Sequence, residues 1–503
     1  MGREHWVEVE LWQVAANTKY PIGDGDHGQI KPSAYQKNGI PYIRVGDMGW
    51  GELILKNVVY ISKETHQANL KSELKPHDVL IAKTGATIGK CCILPETIEV
   101  ANTTSSVGKI TLNHNAMLPK WLMNYFLTRE FTDFMWSISQ RTAQPGFNNR
   151  DIELFKVPLP PLNEQKRIVE KLDALLPKVK SAKVRLAKIP AILKKFRQSV
   201  LVAACSGGLT EEWREEYTER TEKELGEGKS LLDSILKIKR ELQSKKLISK
   251  DKEYDVNVLE LPMPLEIPST WIWARMNDVF EILRGASPRP AGDPKYFGGN
   301  IPWITVKELT KDESIYLEEV EFFINEEGKK LSRDIFKGEL LLTNSGATLG
   351  VPKISKIDGC INDAVALLRK HHNLINTYFT YYYLLYQKES FRQINQGMAQ
   401  PNLNTSIISA WLLPLPPLEE QHEIIRRVEK LFAIADSLEA KYRKAFAQVE
   451  KLEQAILAKA FRGELVEPDP NDEPASELLK RILEEKAKLE AGKKSKKPRA
   501  RKK

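Results

Sequence analysis

No stretch of this 503-residue sequence is long and apolar enough to suggest a membrane span, which needs roughly 18 to 20 apolar residues in a row. The first ten residues, MGREHWVEVE, lack the apolar core of a secretory leader. A cytoplasmic protein with no membrane partner is expected. Cysteine is scarce: Cys91, Cys92, Cys205 and Cys360 form no C-x-x-C pair and no ligand-like spacing with the eight histidines. Neither a disulfide framework nor a metal site is expected, and the thiols read as buried free groups. Acid is missing from the last stretch, AGKKSKKPRARKK (491–503), whose eight Lys and Arg supply nearly all of the net charge of +9. A tail of this kind is usually solvated, and on DNA it adds only sequence-independent affinity. The basic total therefore does not by itself argue for nucleic-acid binding.

Catalytic constellations are missing as well. Gly85-Ala86-Thr87-Ile88-Gly89-Lys90-Cys91 superficially resembles a phosphate loop. Three residues separate its glycines instead of four, and Cys91 stands where Ser or Thr should hold magnesium. No [Asp/Asn/Ser]-Pro-Pro-[Tyr/Phe] loop of the adenine methyltransferases occurs, and no H-E-x-x-H or G-x-S-x-G. Carboxylates on helices such as Glu211 to Glu224 read as solvated faces. A non-catalytic chain is expected, with no cofactor of its own; an enzyme of unknown class is one alternative.

What is present is a duplication. VPLPPLNEQ (157–165) returns as LPLPPLEEQ (413–421), an offset of 256 that also aligns Gln144-Pro145 with Gln400-Pro401. Upstream the offset is 261: Ile40-Pro41-Tyr42-Ile43 matches Ile301-Pro302-Trp303-Ile304, and Thr84-Gly85-Ala86-Thr87-Ile88-Gly89 matches Ser345-Gly346-Ala347-Thr348-Leu349-Gly350. Trp6 to Val14 echoes Trp271 to Val279, and Leu231-Leu232 with Ile235 echoes Leu478-Leu479 with Ile482. Each half thus has a globular part (1–156; 256–412), a long helix (157–210; 413–466) and a helical remainder (a linker at 211–255; a helical and basic tail at 467–503). The globular parts read as α/β, with strands at 42–45 and 78–82 and aromatic-rich helices at 121–138 and 378–394.

The long helices carry heptads. Ile168, Leu172, Leu175, Val179, Ala182, Leu186, Ile189, Leu193, Phe196, Val200 and Ala203 are spaced four and three in strict alternation. So are Ile424, Val428, Leu431, Ala435, Leu438, Tyr442, Ala445, Val449, Leu452 and Ile456. Such a seam needs a partner, and the two-fold relation of the halves predicts an antiparallel coiled coil between them. The fold expected is two similar α/β domains joined by two long helices with pseudo-two-fold symmetry. Pro177 and Pro190 should bend the first helix where Ala433 and Phe446 leave the second straight.

The glycine loops admit two readings: ordinary strand–strand turns, or backbone that approaches a phosphate closely. On the second reading Lys83, Thr84, Thr87 and Lys90 in one copy, and Asn344, Ser345 and Thr348 in the other, are candidate DNA contacts. Arg44, Arg141, Gln144, Asn148, Arg284, Arg289, Lys307, Gln400 and Asn404 join them by residue type, since Arg suits guanine and Asn or Gln suits adenine in the major groove.

LPPLNEQKRIVEKLDALL (159–176), LPPLEEQHEIIRRVEKLFAIAD (415–436), FRQSVLVAACSGGLTEEWR (196–214) and EQAILAKAFRGELV (453–466) resemble the conserved regions of type I restriction-modification specificity subunits. IPYIRVGDM (40–48) and KTGATIGK (83–90) resemble segments of their target-recognition domains. The resemblance implies that 1–156 and 256–412 each read half of a bipartite site in double-stranded DNA, with the helices setting the gap. It implies two methyltransferase subunits using S-adenosylmethionine and two motor-nuclease subunits using ATP and magnesium, none of that chemistry lying in this chain. A free-standing duplicated DNA-binding or scaffold protein is the other alternative.

Overall fold

In the computed structural model, residues 3–139, 146–221, 225–249, 265–346, 348–393 and 403–495 are described. The chain divides into two units, Met1–Ala187 with Arg443–Lys503, and Lys188–Tyr442. Each contains one globular domain, and the helix Leu418–Phe461 contributes to both.

In the first unit the run Val79–Ala82 is apolar at every position because all four residues are buried. It lies inside an antiparallel sheet of order Ile22–Asp24, Val107–Ile110, Val79–Ala82, Cys91–Ile93. A second sheet runs Val59–Ile61, Ile40–Ile43, Ala101–Thr103, Glu73–Leu74, with Ile40–Ile43 parallel to Ala101–Thr103. The second unit repeats the plan. Glu281–Arg284, Val365–Arg369, Leu340–Thr343 and Pro352–Ser355 follow the first order, and Tyr316–Leu317 adds a fifth, parallel edge strand. Its other sheet is Phe322–Ile324, Phe297–Ile304, Gly359–Ile361, Arg333–Ile335. The strand expected at 42–45 ends at Ile43, where Arg44 turns to bond Asp47. The helix expected at 121–138 is two, Pro119–Phe126 and Arg129–Ser139. Thr128 separates them: its hydroxyl donates to the Tyr125 carbonyl (2.7 Å) and accepts the Phe131 N–H (3.2 Å).

The repeated Pro-Pro-Leu-x-Glu-Gln motif has a local explanation in each copy. Lys156–Leu159 pairs antiparallel with Val7–Glu10, and Leu412–Leu415 with Ile272–Arg275. The prolines have no N–H to extend the ladder and a helix begins at the next residue, Leu162 or Leu418. Gln165 and Gln421 are fully buried and knot the junction. The Gln165 amide donates to the Ala116 and Pro160 carbonyls (both 3.0 Å) and accepts the Leu118 N–H (3.0 Å). Gln421 donates to Pro416 (3.0 Å) and accepts the Asn376 N–H (2.8 Å).

Helices run antiparallel within each unit. In the first, Arg167 pairs with Asp472 and Lys183 with Glu453. In the second, Arg197 pairs with Asp436 and Glu439, while Thr210 and Arg214 reach back to the buried Glu420. All the seam positions expected in the first copy are buried or half-buried. In the second copy Leu438 and Leu452 are 47% and 45% exposed, which corrects the expectation of an unbroken seam. An uninterrupted 44-residue helix drifts about 20° per heptad against a strict seven-residue repeat. The first copy is interrupted at Ala187–Lys188, with Pro190 in the first turn of the next helix, Ile189–Ser206; Pro177 lies inside the unbroken helix Leu162–Leu186.

The shorter helices cross over. Gly228–Ser244, which follows the first copy in sequence, buries Ile235 in the second unit's core, and its first N–H meets the Thr270 carbonyl (2.8 Å). Ala475–Ser495 buries Leu478 and Ile482 in the first unit's core, beside Trp121 and Phe461. All four cysteines are buried and free, and burial pushes the Cys92 thiol up to about 12. Among the described residues no helix is long and apolar enough to cross a membrane, and no group of three or more His, Cys, Asp or Glu is placed to hold a metal ion.

Candidate nucleic-acid interface

Three loops converge at one end of the first sheet in each domain. One follows the edge strand Ile22–Asp24 or Glu281–Arg284, one is the glycine loop, and one joins Ala101–Thr103 to Val107–Ile110 or Gly359–Ile361 to Val365–Arg369. A segment just before a short helix closes each set: the Phe147 N–H donates to the Lys83 carbonyl (3.2 Å), and the Leu403 N–H to the Asn344 carbonyl (2.8 Å). Gly25 and Gly285 make the approach possible. A Cβ on either would stand 1.9 Å from a carbonyl oxygen, that of Thr103 or Asn362. Only glycine allows backbone this close.

In the first domain Lys83 is buried, not on the surface. Its ammonium donates to Asp24 (2.6 Å) and to Asn149 (2.9 Å). Burial raises the Asp24 carboxyl, but Lys83, Asn149 and His27 outweigh it and hold the group below the usual carboxylate value. Asp26 accepts the N–H groups of Gly28, Gln29 and Ile30 (3.0, 2.8 and 3.0 Å) and shapes the next turn. Thr84 is exposed, and Thr87 and Lys90 are half-buried. Thr84 bridges to Gly146, which brings exposed Asn148 to the same edge.

In the second domain the same positions carry other chemistry. Asn344 is buried; its amide nitrogen meets the Asp363 carbonyl at 3.4 Å and its side-chain oxygen has no hydrogen-bond partner among the described residues. Asp363 organises the rim: Arg284 donates to its carbonyl (3.0 Å), Ser287 to one carboxylate oxygen (2.5 Å), and Arg289 lies 3.4 Å from the other. Burial raises the Asp363 carboxyl, but Ser287, its own backbone N–H, Arg289 and Arg284 outweigh it and leave the group below its usual value. Arg284 and Arg289 are exposed; Ser345 and Thr348 are half-buried.

The two readings of the glycine loop divide along its length. In its second half the N–H groups of Ile88, Gly89 and Lys90 are spent on Gly85, Ala82 and Thr87 carbonyls, as those of Leu349 and Gly350 are on Gly346 and Thr343. That half is a strand–strand turn. The exposed half is Thr84-Gly85-Ala86. Asn148 and Asn404 are both N-caps, accepting the Asp151 N–H (3.1 Å) and the Ile407 N–H (2.9 Å), and both are exposed. Arg44 follows Ile43, which pairs with Thr103 at the start of the third loop, and Lys307 lies in the helix Val306–Thr310, just after Ile304, which pairs with Ile361. Arg44 is held by Asp47 and the Asn57 carbonyl, and Lys307 by Glu321 at 2.6 Å. Arg141, Gln144 and Gln400 lie outside the described residues. The sequence reading missed Asp24, Asp26, Asn149, Ser287 and Asp363. None of these five side chains repeats in the other copy, and in the first of the three loops the glycines at 25 and 285, at an offset of 260, are a weak signal.

A family model described as the type I restriction modification DNA specificity domain matches residues 4–191 and 268–445. The specificity subunit of the Escherichia coli type I restriction enzyme EcoBI is 33% identical over 506 residues, covering 96% of this chain and 93% of its own. That of EcoDI, also from Escherichia coli, is 32% identical over 68% of this chain and 71% of its own. The crystal structure of the HsdS subunit from Thermoanaerobacter tengcongensis shares the fold, with a TM-score of 0.57 at 19% identity over 92% of this chain and 98% of that one. The matched segments take in both three-loop rims and the first turns of both long helices, and the chain belongs to the family of type I restriction-modification DNA specificity subunits.

Proposed function

We propose that each domain reads one half of a bipartite double-stranded DNA site through its three-loop rim. One observation carries this: the rim loops leave corresponding strands, with the same close glycine, in both domains while their side chains differ. Asp24, Lys83 and Asn149 stand in one, and Arg284, Asn344 and Asp363 in the other. A shared scaffold with divergent side chains is what two different half-sites require, because phosphate contacts position and base-edge contacts specify. Thr84, Asn148, Arg284, Arg289 and Asn404 are the exposed groups placed to touch DNA. Lys83 and Asn344 act from beneath, holding the loops.

Methylation and cleavage belong to partner subunits in this reading. Two methyltransferase subunits bring S-adenosylmethionine, and two motor-nuclease subunits bring ATP and magnesium, all in the cytoplasm. Replacing residues 1–156 with the corresponding domain of another family member, supplying a methyltransferase partner and mapping methylated adenines tests the reading. One half-site should change and the other persist. A change in both, or in neither, overturns it.

A further inference from the structure

The second domain holds a cleft of about 420 Å³, lined among others by Lys337, Lys356 and Lys370 over Leu340, Ile354 and Leu368. It opens beside the start of the strand Leu340–Thr343, whereas the glycine loop follows the end of that strand, so it is separate from the rim. Asp358, next to the lining, accepts the Lys337 backbone N–H (2.8 Å). Glu339, the carboxylate on the lining, is engaged by Arg369 (3.1 Å) and by the Phe336 N–H (2.8 Å). Lys370 is half-buried and among the described residues meets only the Ile375 carbonyl, at 3.3 Å; burial disfavours its charged form. Lys356 is held 3.9 Å from the centroid of the Tyr316 ring. None of the three forms an ion pair among the described residues.

The duplication supplies an internal control. Val79 pairs with Ile93 and Ile110 as Leu340 pairs with Ile354 and Leu368. The turn residue before each strand, His77 or Gly338, has a positive φ of 71° or 91°. This register sets Lys337, Lys356 and Lys370 on Pro76, Pro95 and Leu112. The shared fold therefore needs no lysine at these places, and three ammonium groups with no ion-pair partner among the described residues gain from an added anion.

We propose that this cleft binds the phosphate of a nucleotide through Lys337, Lys356 and Lys370. Its volume falls within the range of small-ligand sites, about 300–1,000 Å³. The phosphate can come from a free nucleotide or from the backbone of bound DNA, and the test separates them. The full chain and its Lys337→Gln/Lys356→Gln/Lys370→Gln variant are titrated calorimetrically with ATP and with adenosine. Each is also titrated at several salt concentrations with a duplex that lacks the target site. A free-nucleotide site gives ATP binding that falls by about tenfold or more per lysine removed, with the duplex salt slope unchanged. A backbone site gives no ATP binding and a slope shallower by about 0.9 for each phosphate no longer neutralised. Equal affinity for adenosine and ATP, or a variant of unchanged unfolding temperature that alters neither titration, overturns the proposal. Should the triple variant unfold, Lys370→Leu, the residue that the first domain carries there, takes its place under the same criteria.

Discussion

Replacing Lys83 with Met tests the division of labour at the first rim. The substitution keeps the side-chain length and removes an ammonium held by Asp24 at 2.6 Å and by Asn149 at 2.9 Å. The Lys83 and Asp24 side chains are 6% and 9% exposed, so water cannot replace the missing ammonium. Removing one partner of a buried pair costs about 3–5 kcal/mol. For a unit of this size each kcal/mol lowers the unfolding temperature by about 2–4 °C, which gives a fall of about 6–20 °C. Scanning calorimetry, with limited proteolysis to show which unit opens first, reads the effect. The Asp24→Asn/Lys83→Met double variant should regain most of the stability, because no unpaired charge remains. The pH dependence has a definite sign. In the parent, Asp24 titrates below its usual value, so its contribution is complete above pH ~4 and fades as pH falls through the lowered value. In the single variant burial is no longer offset by Lys83, so acidification relieves the buried charge and the penalty shrinks. An unchanged unfolding temperature, with half-site affinity down and a salt slope shallower by about 0.9, would refute the argument and make Lys83 a phosphate contact.

Gln421→Ala should destabilise the second unit by about 2–4 kcal/mol in denaturant titrations, because the Asn376 N–H and the Pro416 carbonyl lose a buried partner; Gln165→Ala should do the same in the first. Arg284→Ala with Arg289→Ala should weaken or relax recognition of the second half-site alone, by about 1–3 kcal/mol for each base no longer read, in binding assays against single-base variants of each half. Asn344→Val should leave the unfolding temperature level or higher, since the side-chain oxygen has no partner among the described residues, yet reduce methylation directed by the second domain. Asn404→Ala should cost about 0.5–2 kcal/mol through removal of the N-cap of Thr405–Ala410, measured by thermal unfolding.

The sequence by itself determined the duplication, the α/β character of each copy and the helical segments, because these rest on local periodicity and on motifs whose reasons are local. Pro160-Pro161 offers no N–H to carry a ladder on, and a four-three apolar spacing reads as a helix with an apolar stripe. It also marked both glycine loops and both capping asparagines, at 148 and 404. Other features depend on groups far apart in the chain. The heptads of the second copy run strictly from Ile424 to Ile456 and break only at Lys459, yet Leu438 and Leu452 face water, since what a long helix touches depends on its drift and on where its partner is interrupted. The crossing-over of the helices Gly228–Ser244 and Ala475–Ser495 leaves no trace in composition, because either apolar face would suit either core. Lys83 reads as a surface cation beside a glycine loop until Asp24, 59 residues earlier, and Asn149, 66 residues later, close around it. Only the tertiary fold could decide whether that ammonium faces a phosphate or a buried carboxylate, because the burial and the pairing that fix its role are set by residues its local sequence does not contain.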